Sequence, residues 1–265
     1  MNDILSAVIL GIIQGLTEFL PVSSSGHLEL AKYILGESAV PAESLMMTVV
    51  LHFGTALATV YVFRKEILNI ILKFFTKDGQ EEKTFIYKIA LSMIPAALVG
   101  ILLDKQIEEL FTQNILLVCA MLIVTGLLLF LADSSKFTGQ DVTYPNALKI
   151  GIAQAIAIIP GISRSGATIS TSMMLGVDRT KAAEFSFLMV VPLIFGKIAK
   201  DLLDGEFTAH TFSYTTLSAG FVASFITGIF ACTWMIGLVR KSQLSYFAWY
   251  CIIIGITGVA YAIFT

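Results

Sequence analysis

Charged residues are scarce in this sequence. Asp, Glu, Lys and Arg make up only 14% of its 265 residues, whereas 56% are hydrophobic and the mean hydropathy is +0.84. Ordinary soluble domains carry about 25% charged residues. The scarcity of charge excludes a typical soluble domain and predicts an integral membrane protein.

Basic tracts and cysteine clusters are missing as well. The formal net charge is −2 and no segment is dense in Lys or Arg, so the chain lacks the positive surface that holds proteins on nucleic acid. We therefore expect membrane lipids, and not nucleic acid, as partners. Cys119, Cys232 and Cys251 all lie in apolar runs, where a thiol behaves as a small buried hydrophobe, and we expect neither disulfides nor a zinc site.

Six apolar runs are long enough to cross a membrane, which takes about 20 mostly apolar residues. Four of them contain no acidic or basic residue, and two carry a lysine near one end, where its stem can reach the interface. The fold class predicted from these runs is an all-α polytopic membrane protein. The predicted spans are Leu45–Phe63, Phe85–Leu103, Ile115–Ala132, Phe185–Ala199, Phe212–Val239 and Leu244–Thr265.

Two shorter apolar runs, Ile4–Thr17 and Ile150–Ser163, end in segments rich in Pro, Gly and Ser. At about 14 residues each they are too short to cross. Broken helix at membrane depth is tolerated only where protein or a water-filled cavity covers the freed backbone groups. We therefore expect two re-entrant helix hairpins in addition to the six spans.

The two hairpins resemble each other, because residues 11–36 align without gaps on residues 151–176. The chain is therefore predicted to be one membrane domain built from two repeats, residues 1–135 and 140–265. Three spans separate the hairpins, and an odd number of crossings turns the second copy upside down, which predicts an inverted-topology repeat. Identities pair Gly11 with Gly151, Gln14 with Gln154, Ser23 with Ser163, Ser25 with Ser165, Gly26 with Gly166 and Gly36 with Gly176.

Basic residues indicate the cytoplasmic side of a membrane protein. They crowd the connection after the first predicted span and recur before the last one. On this count the first hairpin enters from outside, the second enters from the cytoplasm, and both termini face outward. The residues concerned are Arg64, Lys65, Lys73, Lys77, Lys83, Lys88, Arg240 and Lys241.

Polar and ionisable side chains concentrate in the two hairpins. A central Arg in a membrane helix costs about 2.5–3.5 kcal/mol on the insertion scale, so each such residue needs a reason. The first hairpin offers Gln14, Glu18, Ser23, Ser24, Ser25 and His27, and the second offers Gln154, Ser163, Arg164, Ser165 and Thr168.

Gln14 and Glu18, four residues apart, lie about 6 Å from each other on one face of a helix. Their oxygens can therefore converge on one hard cation or one water. The structural alternative is a polar pair that only caps or packs the helix. The binding interpretation is favoured because an unpaired carboxylate does not stay charged at this depth.

The first hairpin tip suits a phosphate group. Pro21 followed by Ser23, Ser24 and Ser25 predicts a helix start whose free N–H groups attract an anion, although such a stretch is often only a helix cap. His27 follows Ser24 by three residues and could act as its base or protonate a leaving group. A lone histidine, by contrast, is more often structural.

The second tip places the guanidinium of Arg164 between the hydroxyls of Ser163 and Ser165. Arginine binds phosphate oxygens through two parallel hydrogen bonds. An internal ion pair between Arg164 and Glu18 is the structural alternative, and both interpretations are compatible before substrate arrives. His52, within a span, is expected to be a packed or hydrogen-bonded core residue, and His210 is expected in an outer loop.

The segments QGLTEFLPVSSSGH (14–27) and PGISRSGATIS (160–170) resemble the two signature segments of the BacA-type undecaprenyl pyrophosphate phosphatases. The resemblance spans the whole chain, includes AEFSFLMVVP (183–192), and permits Gln in place of Glu at Gln14. It implies hydrolysis of undecaprenyl pyrophosphate to the monophosphate, recycling of the cell-wall lipid carrier and bacitracin resistance. It further implies Mg²⁺ or Ca²⁺ as cofactor, a homodimer, and a site opening to the outer face of the bacterial inner membrane.

In the predicted mechanism Ser24 attacks the terminal phosphorus and His27 manages the proton. Arg164, backbone N–H groups and a cation held by Glu18 and Gln14 stabilise the transferring phosphoryl. Direct attack by water, with Ser24 orienting the substrate, stays open. The rival function is a lipid-phosphate or anion carrier, because inverted repeats with broken helices are typical of transporters. The residues expected to bind substrate are Ser23, Ser25, Gly26, Ser163, Ser165, Gly166, Thr168 and Gln154.

Overall fold

The computed structural model of the protein describes residues 3–35, 44–111, 114–135, 139–203, 213–241 and 243–264. Within these ranges the chain forms twelve α-helices and one isolated parallel bridge between Gln140 and Val177, which confirms the all-α prediction. The helices are α1 (Asp3–Phe19), α2 (Ser24–Leu35), α3 (Ser44–Val62), α4 (Arg64–Phe74), α5 (Gln80–Leu102), α6 (Asp104–Phe111), α7 (Ile115–Asp133), α8 (Tyr144–Ile156), α9 (Arg164–Met174), α10 (Arg179–Leu203), α11 (Tyr214–Arg240) and α12 (Ser245–Phe264).

Five helices, namely α5, α7, α10, α11 and α12, are long and apolar enough to cross a membrane. A sixth span results if α3 and α4, which are bent by 74° relative to each other, are taken together. Five of the six predicted spans thus correspond to helices that are long and apolar enough by themselves, and the predicted span Leu45–Phe63 corresponds to α3, which qualifies only together with α4. This set of helices identifies an integral membrane protein. The predicted span ends Phe212 and Thr265 lie outside the described residues, as does His210.

The two short apolar runs form two broken helix pairs, α1–α2 and α8–α9. Their helices contain 17, 12, 13 and 11 residues. At about 1.5 Å per residue, even α1 is only about 26 Å long, less than the hydrocarbon thickness of about 30 Å. Entry of the two pairs from opposite sides of the membrane stays a prediction.

Side-chain caps explain where several helices begin. The Asn114 side chain accepts a hydrogen bond from Leu117 N at 3.0 Å at the start of α7, and Thr143 does the same for Asn146 N at 3.3 Å before α8. Such caps satisfy backbone donors that have no partner within the helix. Ser163 has this role before α9, so the polar tip of the second hairpin is partly a helix start.

Small residues allow α1 to lie directly against α11. A methyl group on Gly11 would come 2.5 Å from the Gly220 carbonyl oxygen, and one on Gly15 would come 2.7 Å from the Ser224 carbonyl oxygen. Close backbone approach at small residues is the usual way that helices associate in membranes. The aligned Gly151 makes the corresponding approach of α8 to α5, because its methyl group would collide with the Ser92 backbone.

The aromatic core lies beneath the first tip. Phe19, at the end of α1, meets Phe187 of α10 edge to face with ring centroids 5.5 Å apart, and Phe63 joins Phe187 at 6.4 Å. All three side chains are buried. The AEFSFLMVVP segment thus contributes aromatic contacts that support the end of α1 where the polar tip begins.

Candidate active site

The two hairpin tips are built in the same way. Ser23 Oγ accepts a hydrogen bond from Gly26 N at 3.2 Å, and Ser163 Oγ accepts one from Gly166 N at 3.0 Å. Each capping hydroxyl also lies 3.3 Å from the hydroxyl of the serine two residues later, Ser25 and Ser165 respectively. The serine and glycine identities at the two tips therefore have a structural basis, because these aligned residues make the same contacts.

The backbones of the tips differ at one position. Ser23 has a φ of +71°, whereas the aligned Ser163 has a φ of −73°. A left-handed conformation is uncommon for a residue with a side chain and is often found at functional sites. In the second tip the positive φ, +94°, is found at Gly161 instead. Glycine adopts this conformation without strain because it has no side chain. The strained residue of the first tip thus directly precedes Ser24.

The two tips contact each other inside the protein. Ser165 Oγ donates to the Leu20 carbonyl oxygen at 3.2 Å. Glycines allow the approach, since a methyl group on Gly26 would lie 3.3 Å from Gly161 Cα, and one on Gly166 would lie 3.4 Å from Pro21 Cβ. Residues separated by about 140 positions in the sequence therefore share one site.

Glu18 lies at the junction of the tips. Its Oε2 accepts hydrogen bonds from Ser24 Oγ at 2.7 Å and from Gln14 Nε2 at 3.0 Å, and its Oε1 forms an ion pair with Arg164 Nη2. The side chains of Glu18 and Arg164 are only 6% and 17% exposed. A buried carboxylate stays charged when it has such partners. An ionised Glu18 thus connects a serine hydroxyl with a guanidinium.

Arg164 and Thr168 belong to one hydrogen-bonded group with α10. Arg164 Nη1 donates to the Ser186 carbonyl oxygen at 3.4 Å, and Thr168 Oγ1 lies 2.6 Å from Ser186 Oγ. Thr168 Oγ1 also donates to the Arg164 carbonyl oxygen at 2.9 Å. Thr168 therefore holds the helix turn that carries Arg164, while its predicted contact with substrate stays a prediction.

His27 follows Ser24 by three positions in the sequence, but both of its ring nitrogens have other partners. Nδ1 lies 2.9 Å from the Ser23 carbonyl oxygen and Nε2 lies 2.8 Å from the Tyr250 hydroxyl of α12. The Ser24 hydroxyl donates to Glu18 instead. In this arrangement the acceptor of the Ser24 hydroxyl is Glu18 and not His27, while the catalytic roles of both residues stay predictions.

Gln154 is the aligned counterpart of Gln14 and is also buried. Both of its side-chain amide atoms lack a hydrogen-bond partner within the described residues. Its partner-free position on α8 distinguishes it from Gln14, which donates to Glu18. The predicted role of Gln154 in substrate binding stays a prediction.

Three residues near the tips were not predicted as site residues, although His52 was expected to be packed or hydrogen-bonded. His52 Nε2 lies 3.9 Å from Glu18 Oε2, while His52 Nδ1 lies 2.8 Å from the Thr48 carbonyl oxygen. Thr125, buried in span α7, donates to the Gly161 carbonyl oxygen at 3.1 Å and accepts from Ser163 N at 3.0 Å. Tyr250 is the third. The one feature of the sequence that could have indicated these residues is a polar side chain within an apolar run. Such a feature does not reveal which residue the side chain contacts.

Glu18 and Gln14 are the two residues predicted to hold a divalent cation. Gln14 Oε1 is buried and has no hydrogen-bond partner in the described part of the chain, and Nε2 of the same amide donates to Glu18 Oε2. Across the described ranges, no three His, Cys, Asp or Glu side chains converge. Mg²⁺ is commonly held by one or two carboxylates together with substrate phosphates. One amide oxygen and one carboxylate are compatible with such an ion, whose binding stays a prediction.

Known proteins resemble this chain along nearly its full length. The family model described as bacitracin resistance protein BacA matches residues 7–257. An undecaprenyl-diphosphatase of Christiangramia forsetii is 59% identical over 260 residues, which cover 98% of both chains. Proteins of the same name from Bacteroides fragilis and Methanobrevibacter smithii are 40% and 36% identical, and each alignment covers 96% of both chains. The chain therefore belongs to the BacA family of bacitracin resistance proteins.

Proposed function

We propose that this protein is a membrane phosphatase that hydrolyses undecaprenyl diphosphate to undecaprenyl monophosphate and inorganic phosphate. The observation that carries the proposal is the junction of the tips, where Ser24 and Arg164 meet on the same Glu18 carboxylate. A nucleophile, a proton acceptor and a phosphate-binding cation are the parts that phosphoryl transfer requires. A carrier needs the cation but has no use for a serine hydrogen-bonded to a base.

The reaction begins when the diphosphate head group enters between the tips and Arg164 binds the terminal phosphoryl. Ser24 Oγ attacks the terminal phosphorus, and the bond from that phosphorus to the bridging oxygen breaks. The hydroxyl proton passes to Glu18 Oε2, to which Ser24 is already hydrogen-bonded, and then to the oxygen of the departing monophosphate. Arg164 and the backbone N–H groups at the start of α9 stabilise the transferring charge.

A second attack regenerates the enzyme. Water attacks the phosphoserine, one water proton passes to Glu18, and Glu18 returns a proton to Ser24 Oγ as inorganic phosphate leaves. Glu18 and Gln14 would hold a divalent cation, which when bound neutralises charge on the diphosphate. The remaining polar and glycine residues of the two tips surround the head group, and their contacts with substrate belong to this proposal. These residues are Ser23, Ser25, Gly26, Ser163, Ser165 and Gly166.

The test uses purified full-length protein, undecaprenyl diphosphate and a phosphate-release assay. Ser24→Ala should lower turnover at least about a hundredfold without lowering the melting temperature, because a nucleophile contributes to chemistry and little to stability. Ser134→Ala is the control, since Ser134 is an exposed serine at the end of α7. Near-normal phosphate release by Ser24→Ala would refute the covalent scheme.

A rapid acid quench distinguishes the two nucleophiles that the sequence left open. Attack by Ser24 leaves a phosphoserine at position 24, which peptide mass spectrometry detects during turnover. Direct attack by water leaves Ser24 unmodified at every time point. Detection in the wild type and loss in Ser24→Ala would support the serine mechanism.

The cellular setting is also part of the proposal. The family relationship supports a place in the bacterial inner membrane, with a site that opens to the outer face and recycles the cell-wall lipid carrier. Greater abundance of the protein should then raise resistance to bacitracin. A homodimer is proposed on the same ground, and its test is the mass of the purified protein in detergent by light scattering.

A further inference from the structure

Tyr250, in the first turns of α12, contacts the first tip through His27. Its hydroxyl lies 2.8 Å from His27 Nε2. The two rings stack with centroids 5.6 Å apart and an interplanar angle of 13°. The next residue, Cys251, donates from Sγ to the Pro21 carbonyl oxygen at 3.7 Å. Helix α12 therefore lies against the tip that carries Ser24.

The hydrogen bonds of His27 determine its tautomer. A carbonyl oxygen can only accept a hydrogen bond. The Nδ1 atom that lies 2.9 Å from the Ser23 carbonyl oxygen must therefore carry a hydrogen. In neutral imidazole the other nitrogen, Nε2, is then an acceptor, and the Tyr250 hydroxyl donates to it. One partner on each nitrogen thus fixes both the tautomer and the ring orientation.

His27 in turn holds the strained residue of the tip. The Ser23 carbonyl oxygen accepts the backbone N–H of His27 at 3.1 Å as well as Nδ1–H. Ser23 has the left-handed φ of +71° and directly precedes Ser24. Such a conformation persists only where the surrounding contacts over-determine it. Tyr250, His27 and Ser23 therefore form a chain of contacts that ends at the residue bearing the nucleophile.

We propose that Tyr250 is a positioning residue of the phosphatase reaction, and this proposal rests on the function proposed above. By holding His27 in the Nδ1–H tautomer, Tyr250 stabilises the Ser23 turn and thereby orients Ser24 Oγ toward the terminal phosphorus. The hydroxyl is the group that matters. The Tyr250 ring would stack on His27 equally well without it, and Cys251 contacts the tip independently.

The test compares Tyr250→Phe with Tyr246→Phe in the purified full-length protein. Tyr246 lies one turn earlier on α12 and is 70% exposed, so it controls for loss of a tyrosine hydroxyl from this helix. Tyr250→Phe should lower kcat about tenfold while KM and the melting temperature match those of the control, because misorientation of a reacting group mainly affects the chemical step. Tyr246→Phe should match the wild type.

A spectroscopic measurement follows the contact itself. The sequence has three histidines, so ¹⁵N-histidine labelling gives few signals, and His27→Gln assigns those of His27. The wild type should show protonated Nδ1 and unprotonated, hydrogen-bonded Nε2 at His27, and the Nε2 signal should shift in Tyr250→Phe alone. A Tyr250→Phe variant with the kcat of the control, or with a melting temperature that falls along with activity, would overturn the proposal. The proposed phosphatase function fails by a different result, namely a wild-type protein that releases no phosphate.

Discussion

The Ser24 hydroxyl donates to Glu18 Oε2, and both ring nitrogens of His27 have other partners, namely the Ser23 carbonyl oxygen and the Tyr250 hydroxyl. The spacing of three positions from Ser24 to His27 had suggested a nucleophile and its base. Ser23, the residue before Ser24, has the left-handed φ of +71°, and the Ser24 hydroxyl that follows it points to Glu18 on α1. The proposed proton transfer from Ser24 therefore uses Glu18, and His27 enters the proposal as a residue that holds the tip.

The role of Arg164 in binding phosphate can be tested with a substitution that keeps its positive charge but changes the shape of the charged group. If it grips the terminal phosphoryl with two parallel N–H bonds, Arg164→Lys keeps the charge but loses the planar fork, and turnover should fall about a hundredfold. Arg240→Lys, on the exposed end of α11, is the matched control. Phosphate release and melting temperature are measured for both variants. An active and normally stable Arg164→Lys variant would mean that Arg164 serves only as the counter-ion of Glu18.

The hydrogen bonds of Thr125 can be tested with two substitutions that change the size of the side chain only slightly. Thr125→Val keeps the shape but leaves the buried Ser163 N–H and Gly161 carbonyl without their partner, at a cost of about 1–3 kcal/mol for each unsatisfied group. Thr125→Ser keeps the hydroxyl. The valine variant should melt several degrees below the wild type, and the serine variant should melt close to it. Equal melting temperatures would show that water replaces Thr125 at the tip.

At the scale of helices, glycine spacing determines which pairs lie closest. The α1–α11 contact depends on Gly15, where a methyl group would come 2.7 Å from the Ser224 carbonyl oxygen, whereas Gly237, also on α11, has no atom within 4 Å of an added methyl group. Gly15→Ala should therefore push α1 away from α11, lower the melting temperature and reduce turnover, because α1 carries Glu18. Gly237→Ala should be neutral. Thermal melts and phosphate release of both variants in the same detergent test this expectation.

Two helices, α4 and α6, were not predicted, because a search for long apolar runs passes over short amphipathic segments. Helix α4 mixes Arg64, Lys65 and Glu66 with the exposed apolar residues Leu68 and Leu72. A mixed composition of this kind is typical of helices at the membrane interface. Helix α4 is long and apolar enough to cross only when it is taken together with α3, from which it is bent by 74°.

At the scale of the whole molecule, the inverted arrangement of the two halves is the main prediction still to be tested. Cysteines introduced at Asp3 and Gln140, both exposed and each leading into a hairpin, should differ in labelling by an impermeant thiol reagent. Asp3→Cys should react in intact cells, and Gln140→Cys only after the membrane is opened. The native cysteines are free and buried, which keeps the background low. Labelling of both positions from one side would refute the inversion.

The sequence by itself determined the membrane class, the long apolar helices and the two short, broken helix pairs with their polar tips. These features follow from local composition, since the length of an apolar run and the position of a Pro or Ser act within a few residues. Only the tertiary structure decided the partners: Ser24 with Glu18, His27 with Tyr250, and Thr125 with the second tip. Hydrogen bonds depend on the direction in which each donor points, and that direction is fixed by helices that are distant in the sequence and meet only in the folded chain.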